Sequence, residues 1–95
     1  MPEMRFRIRW CDGTEELCYS PSLVVKKYFE LHHTYDLEDF VQRARTALQI
    51  ASDRVQAKYG YPCGLALGQL QQIEERAAQY RAVPNAQVEV LQFIE

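Results

Sequence analysis

This chain of 95 residues has no apolar run of the length that crosses a membrane, about 18 residues, and few cysteines. Three cysteines form an odd, sparse set, which suits a reducing compartment better than a secreted disulfide scaffold. The start of the chain also lacks an apolar segment of signal-peptide length. These absences predict a cytoplasmic protein with no membrane partner.

An excess of basic charge is missing as well. Eleven Lys and Arg residues stand against thirteen Asp and Glu residues, which gives a formal charge of -2. Because nonspecific nucleic-acid binding grows with the number of clustered cations, this balance argues against a nucleic-acid partner. What is present is an ordinary globular composition, 47% hydrophobic and 25% charged. We expect residues 1–95 to form a single domain.

Residues 4–20 have the pattern of a β-hairpin. Apolar side chains alternate with Arg5, Arg7 and Arg9 before an Asp12-Gly13 turn, and a second strand follows the turn. A two-residue turn predicts the cross-strand pairs Phe6–Tyr19, Arg7–Cys18, Ile8–Leu17, Arg9–Glu16 and Cys11–Thr14. In this register Leu17 and Tyr19 face the core, and the thiols of Cys11 and Cys18 lie beyond disulfide reach.

Residues 22–31 suit either a short helix or a strand, and we favour a short helix capped by Ser22. A long helix is predicted over about residues 36–59, with the Asp36 carboxylate capping the N–H of Asp39 and Gly60 ending the helix. A helix of about 24 residues is about 36 Å long, more than so small a domain needs. Part of it is therefore expected to project or to meet another subunit.

A second helix is predicted over about residues 62–80, and a strand over about residues 87–94. Gly64 and Gly68 lie one helical turn apart, and close backbone approach to a neighbour would compensate for their low helix propensity. In the final strand the apolar residues change faces at Leu91. This change predicts a bulge, or burial of both faces.

These elements predict an α+β fold. The N-terminal hairpin and the C-terminal strand form a small, mainly antiparallel sheet, and a two-helix hairpin covers one face of it. Twelve apolar residues are expected to supply much of the core: Met4, Phe6, Ile8, Trp10, Leu17, Tyr19, Val41, Leu48, Leu70, Ile73, Val88 and Val90.

Few residues have the spacing of a functional site. Arg5, Arg7 and Arg9 project from one face at about 7 Å intervals, which resembles phosphate spacing, but pairing of Arg9 with Glu16 favours a solvated sheet face. Cys11, Cys18, His32 and His33 lack the close pairs of zinc ligands, so no metal site is predicted, and the two histidines are expected in an exposed loop.

Two cysteines have positions that could lower a thiol pKa. Cys63 would lie in the first turn of the second helix, and Cys18 would lie opposite Arg7. A buried, small apolar role is favoured for both, since no nucleophile–base pair can be recognised from spacing. No phosphate loop, G-x-S-x-G or H-E-x-x-H motif is present, so no catalytic residue and no cofactor is predicted.

The chain resembles a family in three stretches: MPEMRFRIRW at the start, CYSPSLV at residues 18–24, and RARTALQIASDRVQAKYGYPC at residues 43–63. It is similar to the small nitrogen-starvation-response proteins of bacterial gene clusters centred on a nitrilase. The resemblance extends from Met1 to about Ala78. Cys11 stands where the family pattern has proline, and this departure further weakens a metal site at Cys11. The resemblance implies a response to nitrogen limitation and transfers no binding residue.

Two functions follow as hypotheses. The first is a non-enzymatic interaction or accessory protein that self-associates, as in a homodimer, or docks onto an enzyme of the nitrilase-associated pathway. The alternative is a small enzyme or ligand-binding protein for a nitrogenous metabolite. It would use Cys18, Tyr19 and Ser20, which would bring a thiol, a phenol and a hydroxyl to a strand end.

Overall fold

The computed structural model describes residues 3–95, which form an α+β fold. Its elements are β1 (Met4–Arg9), β2 (Glu15–Ser20), a 3₁₀ helix (Leu23–Lys27), β3 (His33–Asp36), α1 (Leu37–Tyr59), α2 (Gly64–Ala78) and β4 (Gln87–Ile94). The strands form one antiparallel sheet in the order β2-β1-β4-β3, and both helices pack against the sheet. The predicted fold class is confirmed. No helix among residues 3–95 has both the length and the apolar character that a membrane span requires.

The turn between β1 and β2 differs from the prediction. Trp10 N–H donates to the Thr14 carbonyl at 2.8 Å, and Gly13 has a left-handed φ of 88°. Three residues therefore lie between the paired ends, with glycine at the position that requires positive φ, as in a type I turn followed by a bulge. The Asp12 carboxylate accepts from the Thr14 N–H at 2.9 Å and stabilises this turn.

The extra loop residue shifts every predicted hairpin pair. Phe6 lies opposite Cys18, and Arg5 lies opposite Tyr19. The other observed pairs are Arg7–Leu17, Ile8–Glu16 and Arg9–Glu15. A shift of one residue exchanges the two faces of a strand. The expectation that Leu17 and Tyr19 belong to the core is therefore wrong, since Leu17 is 44% exposed and Tyr19 is only half-buried.

The core lies between the sheet and the helices and is rich in aromatic rings. The Trp10 ring stacks on Tyr80 and meets the edge of Phe40, at centroid distances of 5.5 and 5.7 Å. Phe29 lies 5.2 Å from Phe40 and 6.0 Å from Phe6. The other ten residues of the predicted core are buried: Met4, Phe6, Ile8, Trp10, Val41, Leu48, Leu70, Ile73, Val88 and Val90.

Residues 22–36 contain the short predicted helix and one strand that was not predicted. The Ser22 hydroxyl accepts from Val24 N–H, so Ser22 caps a 3₁₀ helix. His33 begins β3 and is exposed, so its predicted place in a loop is wrong, whereas the exposed His32 adopts a left-handed φ of 60° before the strand. Asp36, which ends β3, makes no side-chain cap at α1, and its carboxylate instead accepts from Gln87 Nε2 at 3.4 Å.

The far end of the helical hairpin extends beyond the core. Helix α1 ends at Gly60, whose φ of 86° and N–H bond to the Gln56 carbonyl form a left-handed cap. No residue is buried across residues 56–65, which comprise the last turn of α1, the connection and the start of α2.

The pairing of β1 with β4 shifts by one residue between Arg7 and Ile8, so the predicted bulge is present.

Candidate functional site

A groove lies between the edge strand β2 and the first two turns of α2, with a volume of about 410 Å³. We call it the β2–α2 groove. Its lining residues are Glu3, Arg5, Tyr19, Gly64, Leu65, Gly68, Gln69 and Gln72. A second hollow of about 230 Å³ shares Glu3 and Tyr19 with it, and we call it the tyrosine hollow. The tyrosine hollow is otherwise lined by Pro21, Val55, Tyr59, Tyr61 and Cys63.

Tyr19 reaches this groove because the observed hairpin register turns it away from the core. Its hydroxyl donates to Glu3 Oε2 at 3.2 Å, and the guanidinium of Arg5 lies 5.8 Å from the centre of its ring. Burial raises the pKa of the Tyr19 phenol, and the hydrogen bond to the Glu3 carboxylate raises it further. Tyr19 therefore remains a neutral hydrogen-bond donor that holds the Glu3 carboxylate between the two cavities.

Gln69 is the polar residue that α2 brings to the edge of the sheet. Its Oε1 atom accepts from the backbone N–H of Tyr19 at 3.0 Å, which satisfies one donor of the edge strand. The Gln69 side chain is 9% exposed, and its Nε2 atom is buried with no hydrogen-bond partner among residues 3–95. An unpaired buried donor costs about 1–3 kcal/mol. The Nε2 group of Gln69 is such a donor, in a residue that lines the groove.

The start of α2 adds further donors. The first N–H groups of a helix have no partner within the helix, and Cys63, at the N-cap position, provides no side-chain cap. The backbone N–H of Cys63 itself donates to the Ser52 hydroxyl at 3.1 Å. Gly64 and Leu65 line the groove, so the positive end of the α2 dipole lies at its wall.

The two α2 glycines do not touch a neighbouring backbone. A Cβ atom built on Gly64 or Gly68 would meet nothing within 4 Å, so the predicted close approach is wrong for the part of the chain that the structure describes, residues 3–95. Both residues instead open the helix backbone to the groove. Glycine here leaves space for a group from outside the chain.

The structure separates the three residues that the ligand hypothesis grouped together. Cys18 and Ser20 are fully buried on the core side, whereas Tyr19 faces the groove. Cys18 lies opposite Phe6 and not Arg7, and burial raises its thiol pKa, an effect to which Glu16 adds. The Ser20 hydroxyl donates to the Ser22 carbonyl at 2.7 Å. Of the four candidate residues Cys18, Tyr19, Ser20 and Cys63, only Tyr19 and Cys63 line the same cavity, the tyrosine hollow.

The arginine row lies on the sheet face opposite the helices, and its partners differ from those expected. Arg9 lies 3.6 Å from Glu15 and 3.3 Å from Glu89, so the predicted pairing with Glu16 is wrong. Arg5 stacks over Tyr19, and Arg7 lies opposite Leu17 in β2. At one end of the row, Arg9 thus pairs with Glu15 and Glu89. At the other end, Arg5 lies against the Tyr19 ring.

The four metal-capable side chains near the N-terminus do not converge. Cys11 is exposed in the hairpin turn, Cys18 is buried, and His33 Nδ1 lies 4.0 Å from Glu30 Oε2. Within residues 3–95, no three His, Cys, Asp or Glu side chains are arranged to hold a metal ion.

Sequence reasoning missed Glu3 and Gln69. A signal was available for Gln69, which lies three residues after the buried Ala66 and four before the buried Ile73. A polar residue within the apolar stripe of a helix requires a partner in the fold. Glu3 carries no comparable signal, because it becomes part of the groove only through its contact with Tyr19.

Comparison with protein families gives a match over most of the chain. The family described as Nitrogen starvation-induced protein NitG matches residues 5–93, which is almost the whole chain and includes most of the groove. No curated protein and no solved structure matches the chain. The expected resemblance is thereby confirmed, and the chain belongs to the NitG family of nitrogen starvation-induced proteins.

Proposed function

We propose that this nitrogen starvation-induced protein is a non-enzymatic accessory protein that acts through contact with other polypeptide chains, and that its first partner is a second copy of itself. The observation that carries the proposal is the exposed end of the helical hairpin. Tyr59, Tyr61 and Leu65 are 52%, 64% and 70% exposed, and we call these three side chains the hairpin-end patch. The two tyrosine rings lie 6.5 Å apart.

The composition of the hairpin end favours a second copy as the occupant. Residues 56–65 carry one charged side chain, Lys58, whose ammonium group lies over the Tyr59 ring at 5.5 Å. A two-fold interface places the same patch on both subunits, so a nearly uncharged, apolar patch is complementary to itself. Tyrosine is also enriched among the interface residues that contribute most of the binding free energy.

The placement of two of the three cysteines, Cys11 and Cys18, supports a role without covalent chemistry. The raised pKa of the buried Cys18 thiol disfavours the thiolate, which is the reactive form. Cys11 lies in the exposed turn at the opposite end of β1 from Glu3. Contact surfaces are therefore a better basis for function here than either of these two thiols.

The test is the mass of the protein in solution, measured by light scattering across concentrations from about 1 to 200 µM. We expect a concentration-dependent dimer, and we expect Tyr61→Ser with Leu65→Ser to shift dissociation to at least about tenfold higher concentration. Val83→Ser is the matched control, because Val83 is 44% exposed and lies outside the hairpin end. A monomer throughout, or an equal loss in the control, would overturn the proposal.

A further inference from the structure

We infer that the β2–α2 groove and the tyrosine hollow together form a binding site for a free α-amino acid with an apolar side chain. This inference goes beyond the proposed function, with which it shares the side chains of Tyr59, Tyr61 and Leu65. It rests on a donor-rich wall, a carboxylate and an apolar hollow, in two neighbouring cavities that share Glu3 and Tyr19. Each of these three features matches one part of such a ligand.

The donor-rich wall suits the ligand carboxylate. The uncapped first turn of α2 presents backbone N–H groups at the positive end of the helix dipole, an arrangement that favours anions. The Nε2 donor of Gln69, in a side chain that is 9% exposed, has no acceptor among residues 3–95. Since Gln69 Oε1 is already occupied by Tyr19 N–H, the amide orientation is fixed and its NH₂ group is the free end.

The opposite side of the depression suits an ammonium group. Glu3 lines both cavities, and the Tyr19 hydroxyl donates to one of its carboxylate oxygens. A carboxylate has about four acceptor positions, so Glu3 can still accept from a ligand –NH₃⁺.

The tyrosine hollow suits an apolar side chain. Val55, Tyr59 and Tyr61 line this hollow, which has a volume of about 230 Å³. The neighbouring β2–α2 groove has a volume of about 410 Å³. Small-molecule sites commonly occupy about 300–1,000 Å³ and combine apolar walls with a few polar groups. The open faces of Gly64 and Gly68 leave room for the ligand backbone against the helix.

The test is calorimetric titration of the full chain with L-phenylalanine, N-acetyl-L-phenylalanine and L-phenylalanine methyl ester. The N-acetyl compound lacks the ammonium group, and the ester lacks the carboxylate. We expect L-phenylalanine to bind at least about tenfold more tightly than either analogue, since each lost charge-assisted hydrogen bond costs about 1.4 kcal/mol or more. No binding at 10 mM, or equal affinity for all three compounds, would overturn the inference.

Variants locate the site and identify the role of each group. Gly68→Leu fills the groove and is expected to abolish binding, whereas Ala78→Leu adds the same side chain at an exposed position outside the groove and should bind normally. Glu3→Gln should weaken L-phenylalanine about tenfold and leave the N-acetyl compound unchanged. Binding that survives Gly68→Leu, or Glu3→Gln that weakens both compounds equally, would contradict the assignment.

The two proposals share Tyr59, Tyr61 and Leu65, and their readouts distinguish them. Dimerisation is read from molecular mass with hairpin-end variants, whereas ligand binding is read from head-group selectivity and from Glu3 and Gly68. A monomer that selects L-phenylalanine retains the ligand site and removes self-association. A dimer that binds all three compounds equally, or none of them, retains self-association and removes the ligand site.

Discussion

The two ends of α1 have opposite surroundings. Phe40, in its first turn, is fully buried and lies against the rings of Trp10 and Phe29, whereas every residue of its last turn, residues 56–59, is exposed. Both ends belong to one continuous helix with one left-handed cap. The difference shows that the sheet buries only part of the helix, and that the remainder supplies exposed side chains for contacts outside the fold.

The largest expected effect distinguishes two leucines, one on each side of this boundary. Leu48 is fully buried, and Leu48→Ala should lower the free energy of unfolding by about 2–5 kcal/mol because it leaves a cavity. Leu65 is 70% exposed, so Leu65→Ala should change it by no more than about 0.5 kcal/mol. Urea unfolding at low protein concentration, where monomers dominate, measures both. Equal losses would show that the hairpin end contributes to the core.

A smaller effect is expected at the link between α2 and the hairpin turn. The Tyr80 hydroxyl donates to Asp12 Oδ2 at 2.7 Å and accepts from Arg76 Nε at 3.2 Å. Tyr80→Phe should lower stability at neutral pH by about 1 kcal/mol, the usual value of one hydrogen bond. Tyr59→Phe is the control, because Tyr59 is half-exposed at the hairpin end, and it should leave urea unfolding unchanged.

The same pair predicts a pH dependence. The Thr14 backbone N–H, followed by the Tyr80 hydroxyl, lowers the pKa of the Asp12 carboxyl below its ordinary value of 3.8. The ionised form therefore stabilises the fold above pH 3.8, and this contribution is lost as pH falls through the lower folded-state pKa. The difference between Tyr80→Phe and the natural protein should shrink over that range. A difference that stays constant in acid would show that Asp12 does not carry the effect.

The smallest effect compares two glycines near the hairpin end. Gly68 lies within α2 with open space at its Cβ position, so Gly68→Ala should raise the free energy of unfolding by about 0.5–1 kcal/mol. Gly60 has a φ of 86°, and Gly60→Ala should lower that free energy by about 1 kcal/mol or more. Thermal unfolding measures both changes. A loss of stability in Gly68→Ala would contradict the open space at the Gly68 Cβ position.

Apolar periodicity was sufficient to predict the two helices and the core positions along them. Leu48, Leu70 and Ile73 were predicted from spacing alone and are buried. Periodicity failed in β2, where Asp12-Gly13 indicated the turn but not its length. Strand alternation has period two, so an error of one residue in the turn exchanged Tyr19 with Cys18 and Ser20.

The strand β3 and the groove depend on contacts that are distant in sequence. β3 has four residues and only one of them, Tyr35, is buried, so it is recognised only by its pairing with β4. Gln69 and Tyr19 are 50 positions apart and meet through a single hydrogen bond. No local pattern reports such a contact.

The sequence by itself determined the α+β class, the presence of both helices, the apolar stripes and the family of this protein. These follow from short-range physics, because helix caps, turn residues and side-chain periodicity act over a few positions. Tertiary structure alone decided the hairpin register, the exposure of Tyr19, the open glycine face of α2 and the unpaired donor of Gln69. Each of these depends on where two distant segments pack, and packing is a property of the whole chain.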